Sequence, residues 1–360
     1  MAKQDPKVRE VQSQGRGGDK LAVVLMLAAT CTAVAGFGYL FSIWWQSRIS
    51  DNQEVLRIAS QEFVAGRPIG AGDLAQSIEL QPLVANDELE SLSTDERAAE
   101  AKRAEWIRLR NFLIGAGKVA RAGIEEETRA KRRIYHEAIP YLEKSREGGF
   151  PAGREVQGNR ILGETLFKVG RFDEATGPLQ AAIDRDPLLA RELLPILARA
   201  QLDSLQPTTE QSLRTIEQFL AQPTLDNQQR REGELIRIEA LLELQRWQEA
   251  KSAIDRQLAA YQSTAPEVSS AEFENRDRLR LLQSSMRIQQ AAQRYGNSIS
   301  VPYENRNAVA AFLAETMSDL AELQREADPK TAARARLLLA KGYLLQGMQE
   351  DALTELNEVR

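Results

Sequence analysis

Two stretches of this chain, 177 residues apart, carry one ordered pattern of large, small and turn-forming residues. In the first, Leu162-Gly163, Leu166, Gly170, Phe172, Ala175, Leu179, Ala182 and Pro187 follow one another. In the second, Leu339-Ala340, Tyr343, Gly347, Ala352, Leu356 and Val359 fall at the same relative positions. Apolar residues three and four apart are the signature of a helix with one buried face, and a glycine just past such a run is where a helix ends. A matched pattern over this distance therefore marks a repeated pair of helices, a unit that buries its apolar face only by stacking on its neighbours.

The pattern resembles the tetratricopeptide repeat (TPR) family, in which two antiparallel helices fill 34 residues and touch at small side chains. The best units are 156–189 and 333–360. The resemblance implies that Gly163, Ala175 and Ala182 are the small contacts, that Gly170 ends the first helix, that Phe172 fills the turn and that Pro187 opens the next unit. A third copy is partial: Ile238, Leu241, Trp247, Ala250 and Ile254 are in phase, but Gln245 replaces the glycine and Arg237 the usual leucine. A half-unit reads Tyr135, Ala138, Leu142 and Ser145. Residues 190–230 and 262–328 are helical in pattern without a legible signature. The implied fold is all-α, an α-solenoid of antiparallel helix pairs.

In this family the first helices line a concave groove. The resemblance thus makes Gln157, Arg160, Glu164 and Phe167 in one unit, and Arg334, Leu337, Lys341 and Leu344 in the last, candidate partner-binding residues. The last unit stops at Arg360 with no capping helix after it. Leu353, Leu356 and Val359 are accordingly expected to be covered by a partner, a second copy or further residues.

Ahead of the repeats, Leu21 to Trp45 holds no Asp, Glu, Lys, Arg or His. Those 25 residues would reach roughly 37 Å as a helix, enough to cross a hydrocarbon core of about 30 Å. Tyr39, Trp44 and Trp45 gather at its far end, where amphipathic rings favour the interface. Lys3, Lys7, Arg9, Arg16 and Lys20 precede the span and only Arg48 and Arg57 closely follow it, so positive charge keeps the tail cytoplasmic. Ala33-Val34-Ala35 offers a signal-peptidase site, which would make a secreted protein, but the apolar run continues to Trp44. Ala28, Thr32 and Gly36 form a small-residue face that could pair two spans in a homodimer.

The expected layout is a tail (1–20), a transmembrane signal anchor (21–45), a spacer with short helices (46–92) and a TPR-like domain (93–360). Ser93 and Glu96 give the capping-box signature for the helix that opens that domain. Turn formers break the spacer at Ala65 to Gly72. Further breaks fall at Gly148 to Pro151, Asp186-Pro187, Gln206-Pro207, Gln222-Pro223, Ser298 to Pro302 and Asp328-Pro329.

Chemistry is sparse. The only histidine is His136 and the only cysteine is Cys31, inside the apolar segment. Two-histidine zinc arrangements are excluded within one chain, and any Ser-His-Asp or Cys-His arrangement would have to use His136. No catalytic, cofactor or metal site is expected, and the protein reads as no enzyme. Net charge is −5, with +2 in the first twenty residues and −7 in the rest; an acidic body without a basic stripe argues against nucleic acid. Glu125 to Arg133 reads as one salt-bridged helical face, Glu125 with Arg129 and Glu127 with Lys131. The function expected is a scaffold for protein–protein interaction or complex assembly on the periplasmic side of a bacterial inner membrane. The alternative is a permanent structural subunit of a larger membrane complex.

Overall fold

The structure, a computed structural model, describes residues 52–80, 82–84, 91–262, 270–296 and 301–359. Among the described residues every regular element is helical, so the protein is all-α. None of these helices is long and apolar enough to cross a membrane, and the segment Leu21 to Trp45, with its Ala28, Thr32 and Gly36 face, lies outside the described residues. The chain divides into two compact units, Met1–Ile124 and Glu125–Arg360.

In the first unit, helix α1 (52–64) and helix α2 (Pro68–Gln76) pack with the long helix α3 (Thr94–Ile124). Ser93 caps α3 as its spacing predicts: its N–H donates to Glu96 Oε2 at 2.8 Å and the Glu96 N–H to its hydroxyl at 3.4 Å. The expected spacer is thus more ordered than its composition suggests. Gly66 ends α1 in the left-handed region, Pro68 occupies the first turn of α2, where a missing N–H costs nothing, and the remaining turn formers are helical. Gly72 is helical for a packing reason. A Cβ there would lie 3.0 Å from Gly117 Cα, and one on Gly117 would lie 2.8 Å from both Gly72 Cα and the Pro68 carbonyl. Two backbones touch at this crossing. Around it Phe63 meets Phe112 edge-on at 5.1 Å, and Phe112, Leu113 and Ile114 are fully buried, each contributing about 1.5–3 kcal/mol.

The second unit runs α4 (Thr128–Arg146), α5 (Glu155–Val169), α6 (Phe172–Arg185), α7 (Ala190–Asp203), α8 (Thr209–Leu220), α9 (Asn227–Glu243), α10 (Trp247–Gln262), α11 (Ser270–Tyr295), α12 (Arg306–Glu326), α13 (Pro329–Gln346) and α14 (Gln349–Glu358). Each helix packs on the next, so that five pairs follow α4: α5/α6, α7/α8, α9/α10, α11/α12 and α13/α14. The breaks at Gly148 to Pro151, Asp186-Pro187, Gln206-Pro207, Gln222-Pro223 and Asp328 all fall between helices. The acidic run corrects the sequence reading. Glu125, Glu126 and Glu127 lie between α3 and α4, with Glu127 extended at ψ 117°, and Glu125 Oε1 accepts from the Glu127 N–H at 3.2 Å. They make no i,i+4 ladder, and the ion pair of that spacing on α4 is Arg133 with Glu137.

The small positions are contacts. Leu162, Ala175, Leu179 and Ala182 are fully buried, and a Cβ on Gly163 would meet the Leu179 side chain at 2.7 Å. Gly170 and Gly347 close α5 and α13 at φ 85° and 79°. Gln245 does the same between α9 and α10 at φ 57°, the one non-glycine with positive φ among the described residues. The partial third copy is therefore in register, and Gln245 bears the left-handed conformation that glycine bears elsewhere.

Two stability measurements follow. Gly117→Ala must push α2 off α3 and should destabilise the first unit by about 1–3 kcal/mol, whereas Gly123→Ala, with open space around it, should be neutral or stabilising. Hydrogen exchange across residues 112–116 of the full chain reads this, and equal protection in both variants contradicts it. Gln245→Gly should stabilise the second unit by about 0.5–1 kcal/mol by removing a left-handed Cβ, and Gly170→Ala should destabilise it by a similar amount. Urea midpoints unchanged in both would show that neither residue is strained.

Candidate functional site

The first helices of the pairs, α5, α7, α9, α11 and α13, are each in contact with the next of the set. Arginine–carboxylate contacts cross successive members. Arg160 of α5 reaches Glu192 of α7 at 2.6 Å, and Arg191 of α7 reaches Asp226, the N-cap of α9, at 3.7 Å while donating to the Gln229 amide oxygen at 2.7 Å. Exposed bridges such as Arg160–Glu192 stabilise by roughly 0–1 kcal/mol each. Their value here is geometric, since they place one face of alternate helices side by side.

Further along, these contacts converge on Glu239 of α9. Arg199 of α7 donates to one of its carboxylate oxygens and Arg278 of α11 to the other, the latter at 2.6 Å. Glu239 is 17% exposed, so this junction is shielded as the outer bridges are not. Burial pushes the Arg199 guanidinium below its ordinary range, with Arg278 and Arg334 adding like-charge repulsion and Asp203 opposing them. Burial also pushes Arg278 down, against the pull of Glu274, Asp203 and Glu232. Both groups stay charged, since a guanidinium does not lose its proton in a protein. Positive charge is crowded at this point of the face.

A pocket of about 240 Å³ opens beside the junction between α9, α11 and α13. Glu239, Arg278, Ser285, Arg334 and Lys341 supply its polar lining, and Leu281, Leu282 and Leu337 part of its apolar wall. Three residues expected from the last unit, Arg334, Leu337 and Lys341, therefore share one cavity. Leu344 lies two turns beyond Leu337 on α13, exposed, and is outside that lining. In the other unit Gln157 is exposed and Arg160 and Glu164 pair at 2.9 Å. Phe167 packs on Phe172 at 5.4 Å, which gives it a role in the turn of its own helix pair. Leu353 and Leu356 are exposed on α14, at 59% and 39%, and Val359 is half-buried.

Sequence reasoning missed Arg199, Glu239 and Arg278. The available signal was their separation, 40 residues from Arg199 to Glu239 and 39 from Glu239 to Arg278, a spacing longer than the unit searched for. Among the described residues no cluster of His, Cys, Asp or Glu is placed to hold a metal ion. His136 is exposed on α4. No protein-family model matches the chain, and no curated protein matches it.

Proposed function

We propose that the chain is a membrane-anchored scaffold of the tetratricopeptide type, holding a helical-repeat domain on the periplasmic side of a bacterial inner membrane and binding another protein through the face of its first helices. Support for the repeat reading comes from left-handed residues at the turns of three pairs, Gly170, Gln245 and Gly347, and from Gly163 lying under Leu179. Support for the anchor and its direction comes from the uncharged Leu21 to Trp45 and the basic residues before it. The single observation that carries the binding reading is the pocket between α9, α11 and α13. It joins an exposed Leu337 to the cations Arg278, Arg334 and Lys341, a mixed polar and apolar lining suited to a peptide. A second reading, permanent membership of a larger complex, is favoured by exposed Met348, Leu353 and Leu356 around α14.

Photo-crosslinking in cells separates the two. A benzophenone amino acid replacing Leu337 should give a discrete product with another protein, one replacing Gln180 on α6 should give none, and one replacing Leu353 should give less than Leu337. A product only from Leu353 contradicts the groove reading and favours the structural subunit. In the same cells, alkaline phosphatase joined after Arg360 should be active, and inactive enzyme there would overturn the orientation.

A further inference from the structure

In the lining of the pocket between α9, α11 and α13 three cations, Arg278, Arg334 and Lys341, meet one carboxylate, and donors are left over. Glu239 is its one lining carboxylate, and both of its oxygens are already taken by Arg199 and Arg278. The Arg278 Nε–H is buried without an acceptor. Neither Arg334 nor Lys341 makes an ion pair or side-chain hydrogen bond among the described residues. Two exposed, unpaired cations beside the cavity form an environment that an incoming carboxylate would complete, since charge-assisted hydrogen bonds to a guanidinium are short and strong. The rest of the wall is aliphatic: Leu281 and Leu282 from α11, and Leu337, 41% exposed, from α13. The 340 residues after the first twenty carry −7, so a negatively charged partner would be repelled over most of the surface and attracted here.

We propose that this pocket selects an acidic–aliphatic segment of a partner protein, seating an Asp or Glu carboxylate among Arg278, Arg334 and Lys341 and a neighbouring Leu or Ile side chain against Leu281, Leu282 and Leu337. The proposal rests on the groove reading above and adds the chemistry of what the groove takes. A carboxylate fits the unspent donors, and the leucine wall makes an aliphatic neighbour a better occupant than a bare inorganic anion or a hydrated headgroup.

The test uses the full-length chain in mild detergent and fluorescein-labelled peptides on a Gly-Ser background, with cores Leu-Glu-Glu-Leu, Leu-Gln-Gln-Leu, Leu-Lys-Lys-Leu and Ser-Glu-Glu-Ser. By fluorescence anisotropy the Leu-Glu-Glu-Leu peptide should bind about tenfold tighter than the Gln peptide, which is the loss of one charge-assisted contact. The Lys and Ser peptides should be weaker still. Salt should weaken the acidic peptide most. The double variant Arg334→Glu with Lys341→Glu, both exposed positions, should keep its thermal melt and reverse the order so that the Lys peptide binds best. Equal affinity for the Glu, Gln and Lys peptides overturns acid selectivity; if Leu337→Arg still abolishes that binding, the groove reading survives. Peptide binding indifferent to Leu337→Arg, or no binding of any peptide, overturns both. Arg334-dependent binding to phosphatidylglycerol vesicles, with no peptide held, would assign the cations to a lipid surface and overturn the proposal.

Discussion

The second unit depends on side chains from one helix seating where the next helix has none. Leu179 of α6 lies over Gly163 of α5, Phe219 and Leu220 of the α8 end lie over Gly233 of α9, and Met317 of α12 lies over Gly342 of α13. Each is a large side chain held closer than van der Waals contact to where a Cβ would sit. Such contact sets how closely the helices approach, because a packed interior tolerates neither a void nor an added methyl at these points. With the second helices α6, α8 and α12 held this way, the opposite face of the first helices they touch is left for their neighbours in the series. The arginine–carboxylate contacts, and with them the pocket, follow from that arrangement.

Much of this was legible where packing leaves a fixed residue type. Gly163 is held small by Leu179, Ala175 and Ala182 by full burial, and Gly170 and Gly347 are favoured by left-handed backbone, and they sit where the repeated pattern placed them. What escaped had a different physical basis. The α7/α8 pair buries Leu193, Leu197, Leu213 and Ile216 but sets polar contacts among them, Ser212 donating to the Ala198 carbonyl at 2.7 Å and Thr215 to Gln201 at 2.9 Å, and those positions leave no apolar signature. The α11/α12 pair uses helices of 26 and 21 residues, too long for a unit of 34 residues. Residues 65–72 were read from their glycines and proline as a break in the spacer. Three of those residues serve a helix end, a first helical turn and a backbone crossing, and composition does not distinguish these uses from a loop.

The site was legible by halves for the same reason. Arg334, Leu337 and Lys341 lie on a helix whose register the pattern fixed, so their common face could be read. Arg199, Glu239 and Arg278 come from three helices with no shared local motif, brought together only by the stacking of α7, α9 and α11. Charge at the junction is a property of that stacking. Arg199, which also pairs with Asp203 at 3.0 Å, and Arg278 take both oxygens of Glu239, so Arg334 and Lys341 have no carboxylate in the pocket lining to pair with, and the open face acquires its chemical preference from them.

The central claim is that alternate helices lie side by side and meet at Glu239. A double-mutant cycle on the full chain tests it most directly, using Arg278→Met, Glu239→Gln and the two together, with stability read from urea denaturation. Side chains in hydrogen-bonded contact from helices 39 residues apart should show a coupling of about 0.5–3 kcal/mol, the double variant losing less than the two single variants combined. Additive losses, with no coupling beyond error, would show that α9 and α11 do not meet at this point and would contradict the account.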